Sequence, residues 1–95
     1  MAAYIFATIE INDPAAYDDY RRRVPAVIAA YGGRYLVRGG AVDRLEGDAP
    51  MHRLVILEFP DMTRLKTFYN SAQYQLLLGI RQRSAKSTVL AIEGV

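Results

Sequence analysis

From residue 3 to residue 11 the chain alternates, with Tyr4, Phe6, Thr8 and Glu10 on one parity and Ile5, Ala7, Ile9 and Ile11 on the other. A period of two, rich in β-branched and aromatic residues, predicts a strand with one apolar face. Asn12, Asp13 and Pro14 follow, a capping group and a proline suited to a first helical turn. Tyr17, Tyr20, Val24, Val27, Ile28 and Tyr31 then recur at three- and four-residue spacing. They predict a helix that lays one apolar stripe on the sheet and ends at Gly32 and Gly33. Pro25 lies inside this stripe; it has no amide to donate and disfavours helical geometry at Val24, so a bend or break is expected there.

Residues 34–38 read as a second strand, stopped by Gly39 and Gly40. Residues 41–51 scatter Val42 and Leu45 among Asp43, Arg44, Glu46, Gly47, Asp48 and Pro50, a turn-rich composition that suggests a short, mobile hairpin arm. Residues 52–59 form a nearly continuous apolar run, as expected of a central strand covered on both faces. Asp61 can cap a second helix carrying Met62, Leu65, Phe68 and Tyr69. Ser71 offers a further cap for a continuation with Tyr74, Leu77, Leu78 and Arg81, leaving one helix or two pieces open. Residues 87–93 return to a strand pattern. The order β-α-β-β-α-β implies an α+β, ferredoxin-like domain over residues 1–95, a four-stranded antiparallel sheet with two helices on one face.

Composition narrows the function. Ninety-five residues make one domain, and so small a chain gains burial from a second subunit. Twelve Lys and Arg against ten Asp and Glu leave a net charge of +2, too little for a dedicated nucleic-acid binder. The run Arg21, Arg22, Arg23 and the looser set Arg81, Arg83, Lys86 lack interleaved aromatics, and Asp18 and Asp19 precede the first, so both read as solvated, salt-bridged faces. The absence of cysteine removes disulfides, thiolate nucleophiles and cysteine metal sites, and no histidine pair or carboxylate spacing suggests a metal or other cofactor. With no signal-like N-terminus and no membrane-length apolar run, the chain reads as cytoplasmic, without nucleic-acid or membrane partners.

Glu10 and Glu58 each lie near a strand end. The split βαβ topology makes the first and third strands parallel neighbours, so the two carboxylates are expected to approach one another, with Arg34 beside them as a proton-tuning neighbour; solvated rim charges are the plainer reading. Arg38 falls near His52 and Arg53, where it could grip an anion or form an ion pair across a dimer. His52, the only imidazole, is the fallback acid or base. Among the seven tyrosines, Tyr17, Tyr20 and Tyr31 share one helix face, and Tyr69 and Tyr74 stand on the second helical stretch. They would fill a core or line a pocket for an aromatic ligand.

Asp13-Pro14 with Tyr17 and Tyr20, Tyr31-Gly32-Gly33, Arg38-Gly39-Gly40, Glu46-Gly47, Glu58-Phe59-Pro60, Tyr69 with Ser71 and Tyr74, Arg81, and Glu93-Gly94 together resemble the bacterial family called domain of unknown function 1330. That family lies in the dimeric α+β barrel superfamily. The resemblance covers nearly the whole chain and implies a homodimer whose helix-free sheet faces pack together, with no established reaction. Better-known branches of the superfamily include cofactor-independent monooxygenases, lactone isomerases and haem-degrading enzymes. The last expect a helix histidine and often a pocket tryptophan, whereas Trp is absent here and His52 precedes a strand.

The sequence therefore points to a homodimer that binds a small aromatic or carboxylate-bearing metabolite. Cofactor-free proton transfer, isomerisation or oxygenation is its candidate chemistry. Tyr17, Tyr20 and Tyr69 would shape the pocket, Arg38 would hold an anionic group, Glu58 would act as base and His52 as acid or base. The alternative is a non-catalytic binding or stress-associated dimerisation module.

Overall fold

A computed structural model describes all residues, Met1–Val95. The elements are β1 (Ala3–Ile11), α1 (Pro14–Ala30), β2 (Arg34–Arg38), β3 (Arg53–Phe59), α2 (Met62–Tyr69), α3 (Ala72–Ser84) and β4 (Ala85–Glu93). The strands form one antiparallel sheet in the order β2-β3-β1-β4, a ferredoxin-like arrangement. The second helical stretch is two pieces: Asn70 ends α2, and the Ser71 side chain accepts from the Tyr74 amide at 3.1 Å to begin α3. Asp13 caps α1 in the same way through the Ala16 amide at 3.2 Å.

β1 and β3 are antiparallel, not parallel. Tyr4 stands opposite Glu58, and Ile9 opposite Arg53. The physical reason is connectivity: β3 returns from β2 and slots between β2 and β1, so it opposes both. Glu10 and Glu58 therefore lie at opposite ends of the sheet, and the expected carboxylate pair does not form.

Ala3, Ile5, Ala7 and Ile9 of β1 with Leu57 and Phe59 of β3 bury one sheet face against Tyr17, Tyr20, Val24 and Ile28 of α1 and the apolar stripes of α2 and α3. Gly33 is needed at the joint after α1, because a Cβ there would sit 2.6 Å from the ring of Phe59, which has no exposure to give way into. The other face carries Tyr4, Phe6, Leu54, Ile56, Leu90 and Ile92, and no element of the chain covers it. Leu90 and Ile92 remain 50% and 46% exposed. The expectation that β3 is covered on both faces thus fails within a single chain.

α1 runs unbroken through Pro25. The missing proline amide would have bonded the carbonyl of Arg21 one turn back. That carbonyl instead accepts from Nη2 of Arg38 at 2.9 Å, so the end of β2 supplies the donor that the helix lacks. The segment between β2 and β3 forms no hairpin. Arg44 closes a turn there by donating to the carbonyls of Gly47 and Ala49, each at 2.9 Å.

Candidate functional site

A groove between the helices and the sheet opens where β1 and β2 finish and β3 and β4 begin. Tyr17, Tyr20 and Arg21 reach it from α1, Tyr69 from α2, Tyr74 and Arg81 from α3, and Tyr35, Arg38 and Arg53 from the sheet. Its enclosed cavity is about 40 Å³, and the free space including the open mouth is about 550 Å³. The enclosed part is small beside the roughly 300–1,000 Å³ of usual small-molecule sites, so a ligand the size of one ring would extend into the open mouth. None of the lining residues is Asp, Glu or His.

A β-bulge builds the sheet wall. Tyr35 pairs with Leu57 and Arg38 with Val55, while the register slips between Tyr35 and Val37. Strict alternation would send residues three apart to opposite faces; the extra residue puts both on the groove side. The Arg38 guanidinium then lies 4.7 Å from the centre of the Tyr35 ring, a cation–π contact. Burial raises the Tyr35 hydroxyl pKa, with Arg38 acting in the opposite direction.

The phenols form a connected wall. Tyr17 and Tyr20 have ring centres 5.6 Å apart, and the hydroxyls of Tyr20 and Tyr74 are hydrogen-bonded at 3.0 Å. Burial, reinforced by Tyr74, raises the Tyr20 pKa far above the ordinary phenol value, so this hydroxyl stays protonated.

Arg81 is the unusual member. It is only 5% exposed, and no carboxylate comes within ion-pairing distance. Burial opposes its charge, but the oxygens of Tyr74, Tyr20 and Tyr69 more than offset it, and the guanidinium is held ionised. This corrects the reading of Arg81 as part of a solvated basic face. Its spacing from Tyr74, Leu77 and Leu78 was the available signal, because these four share the buried side of α3. Arg53, which the sequence places only as a neighbour of Arg38, lines the groove itself. Its guanidinium lies 6.0 Å from the Tyr17 ring, and its buried Nε has no partner. Gly39, at φ +68°, makes room for it, since a Cβ there would fall 2.2 Å from Nη1.

Of the residues the sequence singled out, Tyr17, Tyr20, Tyr69 and Arg38 meet in this groove, whereas Glu58 and His52 do not line it. Glu58 pairs with Arg34 at 2.7 Å on the helix-free face, opposite Tyr4. His52 takes Thr8 Oγ1 as acceptor for its backbone amide at 3.1 Å and sets Nε2 4.0 Å from Glu10, at the exposed rim. Arg21 and Arg22 engage Asp18, and Arg23 engages Asp19, so that basic run is salt-bridged as expected. The Arg21 contact holds the exposed Asp18 carboxyl below its ordinary pKa. No helix is long and apolar enough to cross a membrane.

Residues 2–95 match the family described as "Domain of unknown function (DUF1330)". No curated protein matches the sequence. Among solved structures, a protein of unknown function from Rhodopseudomonas palustris is similar at 18% identity and a TM-score of 0.79, covering 99% of this chain and 82% of that one. A dimeric ferredoxin-like protein of unknown function from Jannaschia sp. is similar at 16% identity and a TM-score of 0.68, covering 99% and 100%. SnoaB, a cofactor-independent oxygenase from Streptomyces nogalater, is similar at 9% identity and a TM-score of 0.67, covering 99% and 93%. At these identities the likeness is one of fold.

Proposed function

The chain belongs to the DUF1330 family, and on that premise we propose that it works as a homodimer in which each protomer binds a small, largely apolar, anionic metabolite between its helices and its sheet. Arg81 carries the reading. Its guanidinium is buried among phenols with no carboxylate to neutralise it, so an anion that enters this groove, itself free of acidic side chains, meets an unpaired cation. Tyr17, Tyr20 and Tyr69 shape the apolar body of the site, while Arg38 stands at its mouth, held by the Arg21 carbonyl. Glu58 and His52 take no part, because a general acid or base must reach the ligand. Two observations support the dimer: the uncovered apolar sheet face, and the dimeric state stated for two structures of similar fold.

A second reading, cofactor-free oxygenation, is favoured by the same cation. Arg81 with the Tyr20 and Tyr74 hydroxyls could stabilise an enolate or phenolate that reacts with oxygen. Oxygen uptake in the presence of a bound ligand separates this reading from simple binding.

The primary test compares benzoate with benzamide, matched in shape and different in charge, by calorimetry and thermal shift on the wild-type protein, with native mass spectrometry reporting the subunit count. Benzoate should bind and raise the melting temperature, and benzamide should not. Equal responses to the two would remove the anion from the proposal, and a monomer would remove the dimer.

A further inference from the structure

Resting on the anion-binding reading, we propose that the natural ligand is a dianion, with two acidic groups on a ring-sized apolar body, one held by Arg81 and the other by Arg53. The two guanidiniums come from opposite walls, Arg81 from α3 and Arg53 from the start of β3, and both line the same groove. They contact different parts of the phenol wall. Arg53 lies over Tyr17, whereas Arg81 sits among Tyr74, Tyr20 and Tyr69.

Of the three groove arginines without a carboxylate, Arg38 is exposed, and the two less exposed ones, Arg53 and Arg81, argue for two negative groups. Arg21 is answered by Asp18, and Arg38 spends a donor on the Arg21 carbonyl. Arg53 and Arg81 have no carboxylate, and Arg53 Nε is buried with no hydrogen-bond partner. A single carboxylate can neutralise only one of these two cations. A guanidinium with an unused buried donor can serve as a fork for a second carboxylate. Gly39 fits the same account, because any side chain there would displace the Arg53 head group. Between the two cations the rings of Tyr17 and Tyr20 offer an apolar surface for the ligand body.

The test is calorimetry of the wild-type protein with benzoate, phthalate, isophthalate and terephthalate, which place a second carboxylate at three separations. At least one diacid should bind about tenfold or more tighter than benzoate, the increment expected of one good charged contact. Arg53→Met should erase that gain, so that the diacid binds the variant no tighter than benzoate binds the same variant. Should that variant fold poorly, nitrogen-15 NMR of the arginine Nε–H groups in the wild-type protein reads the same contact, and the Arg53 signal should move with the diacid but not with benzoate. Diacids no tighter than benzoate, a gain that survives Arg53→Met, or an Arg53 signal indifferent to the diacid would each overturn the dianion. Failure of all four acids to bind would instead bring down the anion-binding reading, and this inference with it.

Discussion

Arg38 is tied to Pro25 through a carbonyl that belongs to neither, and the tie can be measured. Pro25 leaves the Arg21 carbonyl without its helical donor, and Arg38 Nη2 fills the position at 2.9 Å while its guanidinium lies over Tyr35. Removing Arg38 should cost two contributions. The hydrogen bond from a charged donor is worth up to about 1.5–3 kcal/mol when buried, and about 1 kcal/mol at this exposed position. The cation–π contact adds about 0.5–1 kcal/mol. Arg38→Ala should therefore destabilise by about 2 kcal/mol. In a Pro25→Ala background the restored amide bonds the Arg21 carbonyl itself, so the same Arg38→Ala change should cost only the ring contact, about 0.5–1 kcal/mol. Urea unfolding of the four proteins at one protein concentration closes the cycle, and a coupling of about 1 kcal/mol is expected. If the two substitutions add to within about 0.5 kcal/mol, the carbonyl is not shared and the account of Arg38 is wrong. The cycle also separates this role from that of an anion ligand or a dimer ion pair, neither of which would depend on Pro25.

Tyr20 should make the fold sensitive to alkali. Its phenol pKa is raised by burial in the folded state, so the unfolded chain loses that proton first. The stability is full below about pH 10 and falls as pH rises further, by about 1.4 kcal/mol per unit for this one group. Tyr20→Phe should flatten that slope in urea titrations, and an unchanged slope would place the titration elsewhere. Gly33→Ala should cost about 1–3 kcal/mol, because the added Cβ meets the unyielding Phe59 ring. Gly40→Ala, with open space around it, should be near neutral in the same melting assay and serves as the control. Ile56→Glu on the helix-free face should give a folded monomer by light scattering with an unchanged far-ultraviolet spectrum, and a dimer of undiminished mass would refute sheet-to-sheet packing.

What the sequence determined by itself was local. The alternation of residues 3–11, the cap and proline before α1, and the paired glycines around Arg34–Arg38 placed β1, α1 and β2 within a residue or two of their observed bounds. Such features depend on near neighbours, and a hydrophobic period survives in any fold. Element order followed, and with it the ferredoxin-like class. Contacts between elements lay beyond that reach. Glu10 and Glu58 part company because β3 runs against β1, a consequence of which strands are neighbours rather than of either strand's composition. Tyr35 and Arg38 share a face only through a bulge that no residue in 34–38 announces. Arg81 sat on a legible apolar stripe, yet its charge argued for solvent; only the packing of α3 against α1 and β4 encloses it among phenols. The aromatic half of the candidate site was thus visible as periodicity, whereas its cationic half was decided by tertiary structure, because a charge is buried or solvated according to the elements that close over it.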